Sequence, residues 1–359
     1  MGVYTTINDP SAHFHTQLYT GNGSELAVTN NANSGNFQPD WIWIKDRSAG
    51  SSNHFIQNTS RTITKRLETN TTAAEANNSQ DVKSVQSNGF TVGNNAGCNT
   101  NTNLHAAWQW KINGGTTSSV GTGSITTTVQ ANTTAGVSIV LYQGNGVSGA
   151  TIGHGLGKVP KIIIVKCREA TESWQVYHGA RGTPQNKFIE LDANSTGGSN
   201  SNRWNNTAPT TSVISLGNGN SVNYSGRIFQ AICFAEIQGF SNFGVYKGNG
   251  DADGPFVNTG FKPAWVMIKR FDSTGNWYIY DTTRNGSSGP NTNQAHRILY
   301  ANDGSGEVNN SDRGIDMVSN GFKLRNTLGN TNEDDGQYGY FAFASSPFVS
   351  SAGVPTTAR

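Results

Sequence analysis

One pattern is written three times along this chain, and it limits the possible architectures more than any other feature. It opens as Leu18-Tyr-Thr-Gly-Asn-Gly23, Leu141-Tyr-Gln-Gly-Asn-Gly146 and Val245-Tyr-Lys-Gly-Asn-Gly250. A proline and an apolar run ending in lysine follow: Pro39-Asp-Trp-Ile-Trp-Ile-Lys45, Pro160-Lys-Ile-Ile-Ile-Val-Lys166 and Pro263-Ala-Trp-Val-Met-Ile-Lys269. Repetition of so long a pattern in the same order means copies of one structural unit. It therefore argues against a single active site spread over the whole length.

The correspondence continues past the lysine. An arginine comes one or two residues later, at Arg47, Arg168 and Arg270. The stretches His54-Phe-Ile-Gln-Asn-Thr-Ser-Arg61, Trp174-Gln-Val-Tyr-His-Gly-Ala-Arg181 and Trp277-Tyr-Ile-Tyr-Asp-Thr-Thr-Arg284 align next. A leucine with an asparagine three residues on follows: Leu67 and Asn70, Leu191 and Asn194, Leu299 and Asn302. Val85-Gln-Ser-Asn-Gly-Phe90 matches Met317-Val-Ser-Asn-Gly-Phe322, with Val213-Ile-Ser-Leu-Gly217 as the divergent middle version. Each copy closes on an alternating strand, Ala107-Trp-Gln-Trp110, Ala231-Ile-Cys-Phe234 or Tyr340-Phe-Ala-Phe343.

The residue types select strands. Gly-Asn-Gly and Ser-Asn-Gly are turn chemistry, because glycine and asparagine tolerate positive φ. Alternation of period two in the closing segments marks half-buried strands. The Pro-to-Lys runs are apolar on both faces, so each must be covered on both sides, within its copy or by a neighbour. The segment from Thr71 to Val85 is the one candidate for a short helix. Charged residues make up only 13% of the chain, yet aromatics reach 10%, which is enough to build cores rather than a disordered polar chain. The expected fold is all-β, with three tandem jelly-roll-like β-sandwich modules. Their bounds are 13–113, 137–238 and 239–348. Residues 1–12 form an N-terminal arm, 114–136 a Gly/Thr/Ser-rich linker or extended arm, and 349–359 a C-terminal tail. The linker would let the first module be placed more freely than the other two.

Several function classes are disfavoured. A net charge of +2 gives no electrostatic footprint for nucleic acid, and nothing suggests membrane insertion. Cys98, Cys167 and Cys233 cannot form a disulfide framework and do not sit at metal spacing. The N-terminus is not a signal peptide, although Gly2 and Thr6 match a myristoylation pattern. No Gly-x-Ser-x-Gly, His-Glu-x-x-His or P-loop appears, so no catalytic residue, cofactor or metal is expected and the chain is read as a non-enzyme.

Some residues nevertheless invite a binding reading. Lys45, Lys166 and Lys269 with Arg61, Arg181 and Arg284 form either three equivalent sites or parts of the scaffold; residues common to all copies are mostly what a fold needs. Trp174, Trp204, Trp277 and Tyr278 offer faces for stacking on a sugar, Trp204 above all because it lies in an Asn-rich stretch; the competing reading is core. Asp251-Ala-Asp253-Gly254 and Glu333-Asp-Asp335-Gly336 resemble acidic turns of calcium loops, but lack the closing bidentate glutamate. Gly153-His-Gly-Leu-Gly157 precedes a strand and opens no helix, so it is not a phosphate cradle. Ligand-binding residues stay unassigned.

Four stretches carry a family resemblance: Gln38-Pro-Asp-Trp-Ile-Trp-Ile-Lys45, Trp204-Asn-Asn-Thr-Ala-Pro209, Gly260-Phe-Lys-Pro-Ala-Trp-Val-Met-Ile-Lys269 and Gly353-Val-Pro-Thr-Thr-Ala-Arg359. Through them the chain, from about Tyr4 to its C-terminus, resembles a module found in tandem in structural proteins of marine bacteriophages, including cyanophages. The first copy departs most, with His54 where the others have tryptophan. The resemblance implies a virion protein made in the host cytoplasm, of tail-fibre, receptor-binding or capsid-decoration type. It implies partners among other virion proteins, copies of itself (for instance as a trimer), and a host surface glycan or protein. Two readings follow: a surface-exposed, adhesin-type component, or an architectural decoration, cement or tail-joining protein.

Overall fold

The computed structural model describes residues 4–31, 36–48, 50–285 and 293–355. The protein is all-β, with 42% of residues in strands and 8% in helices. Its main sheets fall into three pairs, one large and one small in each.

In the first unit, Trp41–Asp46 lies in the middle of the large sheet. Leu104–Trp110 pairs with it on one side, followed by Phe14–Thr20; Phe55–Asn58 and Lys65–Glu68 lie on the other, all antiparallel. A three-stranded sheet of Leu26–Thr29, Gly89–Val92 and Val82–Gln86 is the small partner. The second and third units repeat this plan around Ile162–Cys167 and Phe261–Arg270.

The twice-apolar runs are explained by what covers each face. Successive strand residues point to opposite sides. Ile42 and Ile44 pack with Val28, Val82, Phe90 and Val92 inside the first sandwich. Trp41 and Trp43 point the other way, into a core that all three units share. Ile163 and Val165, and likewise Val266 and Ile268, face their own sandwiches. Ile162, Ile164, Trp265 and Met267 join the shared core. Rings from different units meet there: Trp41 lies 5.7 Å from Phe234, Phe234 5.5 Å from Phe343, and Trp110 6.2 Å from Trp265. Each large sheet is thus buried on both faces, and the three units form one body.

This geometry corrects several expectations. The first unit is not freely placed, because its four tryptophans lie in the shared core. Residues 114–136 are not a linker. They form the strands Ser118–Val120 and Thr127–Asn132, which extend the second large sheet through Val137–Gln143. Val129 and Ile125 of this stretch join the second sandwich core. No helix forms between Thr71 and Val85, where short strands Ala76–Asn77 and Val82–Gln86 lie instead. Within the N-terminal arm, Ile7 is buried, Thr5 Oγ1 donates to the Gln238 carbonyl (2.8 Å) and Tyr4 Oη to the Gly260 carbonyl (2.7 Å). Gly2 and the last four residues of the tail lie outside the described residues.

The Gly-Asn-Gly turns are held by a device with no obvious mark in the sequence. One-turn helices at Ala96–Asn99, Asn220–Asn223 and Gly329–Asn332 each end on a buried asparagine. Asn99, Asn223 and Asn332 accept the backbone N–H of Asn22, Asn145 and Asn249 at 2.9–3.0 Å. Each amide nitrogen also donates to backbone carbonyls of its unit, as Asn332 does to Asp251 and Asn326 (both 2.7 Å). The first glycine of each turn is required by close approach. A Cβ on Gly21, Gly144 or Gly248 would sit 2.1–2.4 Å from the carbonyl oxygen of Thr100, Tyr224 or Glu333.

Candidate functional site at the unit junctions

The repeated lysines end strands of the large sheets, and all three are buried where two units meet. Each ammonium spans a junction. Lys45 Nζ donates to Ser52 O of its own unit (2.8 Å) and Gly304 O of the third (2.9 Å). Lys166 Nζ donates to Glu172 O (2.5 Å) and to Thr72 O of the first unit (2.7 Å). Lys269 Nζ donates to Gly275 O (2.5 Å) and to Asn194 O of the second (3.0 Å). Burial pulls each of the three down to about 8, still protonated at neutral pH.

A second set of contacts runs around the same ring. Asn58 Nδ2 donates to Gln230 Oε1 of the second unit (2.7 Å), and Trp108 Nε1 of the first donates to Asp281 Oδ2 of the third (3.0 Å). His178 Nε2 lies 3.3 Å from the Tyr340 carbonyl of the third. Trp174 Nε1 donates to Glu68 O (2.8 Å) and Trp277 Nε1 to Glu190 O (2.9 Å), each in the preceding unit. His54, at the tryptophan position of the first unit, instead accepts on Nδ1 from Trp43 Nε1 (2.9 Å). Burial, and Lys45 nearby, hold its pKa well below the ordinary histidine value.

The arginines complete two of the three junctions. Glu75 binds Arg61 of its own unit and takes a two-pronged pair from Arg168 of the second, with both distances 2.8 Å. Glu307 binds Arg284 (3.1 Å) and Arg297 (2.9 Å) of its own unit and the fork of Arg47 of the first (2.7 and 2.8 Å). Burial alone would raise both glutamates; the arginines overcome it and hold them below the usual carboxylate range.

The junction of the second and third units is built differently, and the strand register shows why. Ile56 pairs with Leu67, Ile279 with Leu299 and Val176 with Ile189. The counterpart of Leu67 and Leu299 is therefore Ile189, two residues before the Leu191 that the sequence pattern selects. The asparagine position moves with it: Asn70 and Asn302 accept the His54 and Trp277 N–H groups (both 2.8 Å), and Asp192 accepts that of Trp174 (2.7 Å). In this register the counterpart of Glu75 and Glu307 is Gly197. The arginine after the lysine shifts too. The backbone N–H of Arg47, Arg168 and Phe271 bonds equivalent carbonyls, at Leu104, Ile228 and Gln337, so Phe271 rather than Arg270 occupies that position.

Arg181, the counterpart of Arg61 and Arg284, thus has neither glutamate nor partner arginine. Its guanidinium stacks 4.8 Å from the Phe271 ring centre and donates to the carbonyls of Phe188, Thr196 and Phe271, each at 3.3 Å. Among the described residues it makes no ion pair. It is half-buried, whereas the Arg61 and Arg284 side chains are fully covered. A cleft of about 490 Å³ opens beside it, lined also by Tyr246, Lys247, Phe271, Gln337 and Tyr338.

The other candidate residues belong to the scaffold. Trp204 is 1% exposed, packs in the second sandwich core and donates Nε1 to the Lys187 carbonyl (2.9 Å). Trp174, Trp277 and Tyr278 are buried as well, so none of these rings presents a stacking face. Asp253 pairs with Arg325 (2.7 Å) and Lys323 (3.2 Å), Asp251 accepts the Asp253 N–H, and Asp335 pairs with Lys247. Among the described residues no cluster of three or more His, Cys, Asp or Glu is placed to hold a metal ion. The Cys98, Cys167 and Cys233 thiols are free and buried. Gly153–Gly157 supports a strand end, where His154 accepts the Leu156 N–H (3.3 Å). No helix is long and apolar enough to cross a membrane.

The family model "Domain of unknown function (DUF7483)" matches residues 9–347. The chain belongs to this family, and one match takes in all three sheet pairs. No curated protein and no solved structure matches.

Proposed function

We propose that this chain is a non-enzymatic structural protein of a bacteriophage particle, a surface-exposed fibre or adhesin-type component that contacts the host. The observation that carries this reading is the consumption of the repeated polar residues by the scaffold. The lysines and most of the arginines lock three sandwiches into one body, so the repeat serves rigidity. A rigid body with polar outer loops is a suitable platform for surface contact. The resemblance to marine phage structural proteins supplies the biological setting.

The architectural reading, a capsid decoration or tail-joining protein, would use the terminal segments to grip a neighbour. Residues 4–8 favour the adhesive reading, since Tyr4, Thr5 and Ile7 are already engaged by their own chain. Purified protein is expected to bind host cells saturably. A folded protein that does not bind, together with a fixed position buried among virion proteins in a density map of the particle, would establish the architectural role instead.

A further inference from the structure

The three junctions are variations on one arrangement, and two of them show what the third lacks. At the first and third units a buried glutamate gathers three cationic side chains. At the second, Arg181 is present, and the register places Lys187 where Lys65 and Arg297 stand beside their glutamates. The carboxylate is absent, and the chain cannot supply it locally. Gly197 has φ +71°, and a Cβ there would meet the Phe188 carbonyl oxygen at 1.9 Å. The partner arginine is also gone. Phe271 fills its place, its ring lying over Gly339, where a Cβ would come within 2.0 Å of it. A cleft lies on the Phe271 side of Arg181, with Arg181 and Lys247 among its walls.

We infer that the cleft between the second and third units binds the carboxylate group of an external ligand, held by Arg181, the arginine whose counterparts in the other two junctions are paired with glutamate. The guanidinium is suited to this. Its three bonds to carbonyls are long, no carboxylate neutralises it, and stacking on Phe271 fixes its plane. The volume exceeds what a bare carboxylate needs, so the group is carried by a larger small molecule, either a uronate sugar or a free organic acid. Arg181 also lies close enough to Lys269 to help depress that ammonium.

The inference concerns the isolated chain and does not rest on a role in a virion. Calorimetric titration of the full chain at constant low ionic strength, with sodium D-glucuronate, sodium acetate and neutral D-glucose, tests it. Glucuronate is expected to bind and glucose not to. Comparable binding of acetate would identify a free-acid site, and glucuronate alone a carboxylated-sugar site; either supports the inference. Arg181→Gln is expected to weaken binding about tenfold or more, the usual loss of a charge-assisted contact. Lys247→Glu, a change at an exposed side chain, should do the same by placing a carboxylate at the rim, and decides the matter if Arg181→Gln fails to fold. Equal binding of glucose, no binding of either acid, or unchanged binding in both variants would overturn the inference.

Discussion

The junction between the first and second units and that between the second and third differ by a few side chains on the same backbone plan. In one, Glu75 sits between Arg61 and Arg168 and closes the contact with charge. In the other, Arg181 lies on Phe271 and a cleft remains. Both junctions hold, because the shared aromatic core and the lysine bridges are common to them. The comparison separates what makes the units cohere from what closes the gap at their edge. Apolar burial and the lysine bridges do the first; the arginine–glutamate cluster does the second only where it exists.

The comparison can be broken most severely at the charged junctions. Glu307→Ala leaves Arg47 and Arg284 without their shared carboxylate, at a cost of about 3–5 kcal/mol measured by denaturant unfolding. Arg61→Gln leaves Glu75 with Arg168 and the more exposed Lys65 and is expected to cost roughly 3 kcal/mol. Arg181→Gln, which removes no ion pair, should cost only about 1 kcal/mol in the same assay. Near-equal losses for the two arginines would erase the distinction drawn between their junctions.

Acid should act on the second junction through His178. Burial lowers its pKa to about 4 beneath the Tyr340 carbonyl, from an ordinary 6.5. A histidine depressed in the fold takes up protons more readily when unfolded. Stability is therefore fully present above pH 6.5 and falls as the pH drops from there towards 4. The loss is about 3 kcal/mol, to be read from unfolding curves across that range. In His178→Gln this part of the pH dependence should disappear. Smaller in effect is Asn332→Ala, which frees two backbone carbonyls and the Asn249 N–H. A loss of about 2 kcal/mol is expected, with the damage confined to the third Gly-Asn-Gly turn in hydrogen exchange.

Much of the fold was legible because it depends on local chemistry. Turn glycines, period-two alternation and the twice-apolar strands mark an all-β chain, and Gly21, Gly144 and Gly248 lie where close approach demands glycine. The site was less legible. Lys45, Lys166 and Lys269 were visible as a repeat, but the carbonyls they reach lie in other units, far away in the chain. Trp204 looked exposed in its Asn-rich surroundings, yet folding carries it into a core. Residues 114–136 looked like a linker because Thr, Ser and Gly dominate, and pairing with Val137–Gln143 made strands of them.

What the sequence by itself determined is the threefold writing of one β unit, since turn and strand preferences act within a few residues. Tertiary structure alone decided that the three large sheets share a core, and that Ile189 rather than Leu191 matches Leu67. It alone showed that Phe271 and Gly197 stand where two junctions have an arginine and a glutamate. The physical reason is register. A shift of two residues keeps every strand side chain on its own face, so the hydrophobic pattern cannot detect it, and only the backbone pairing can.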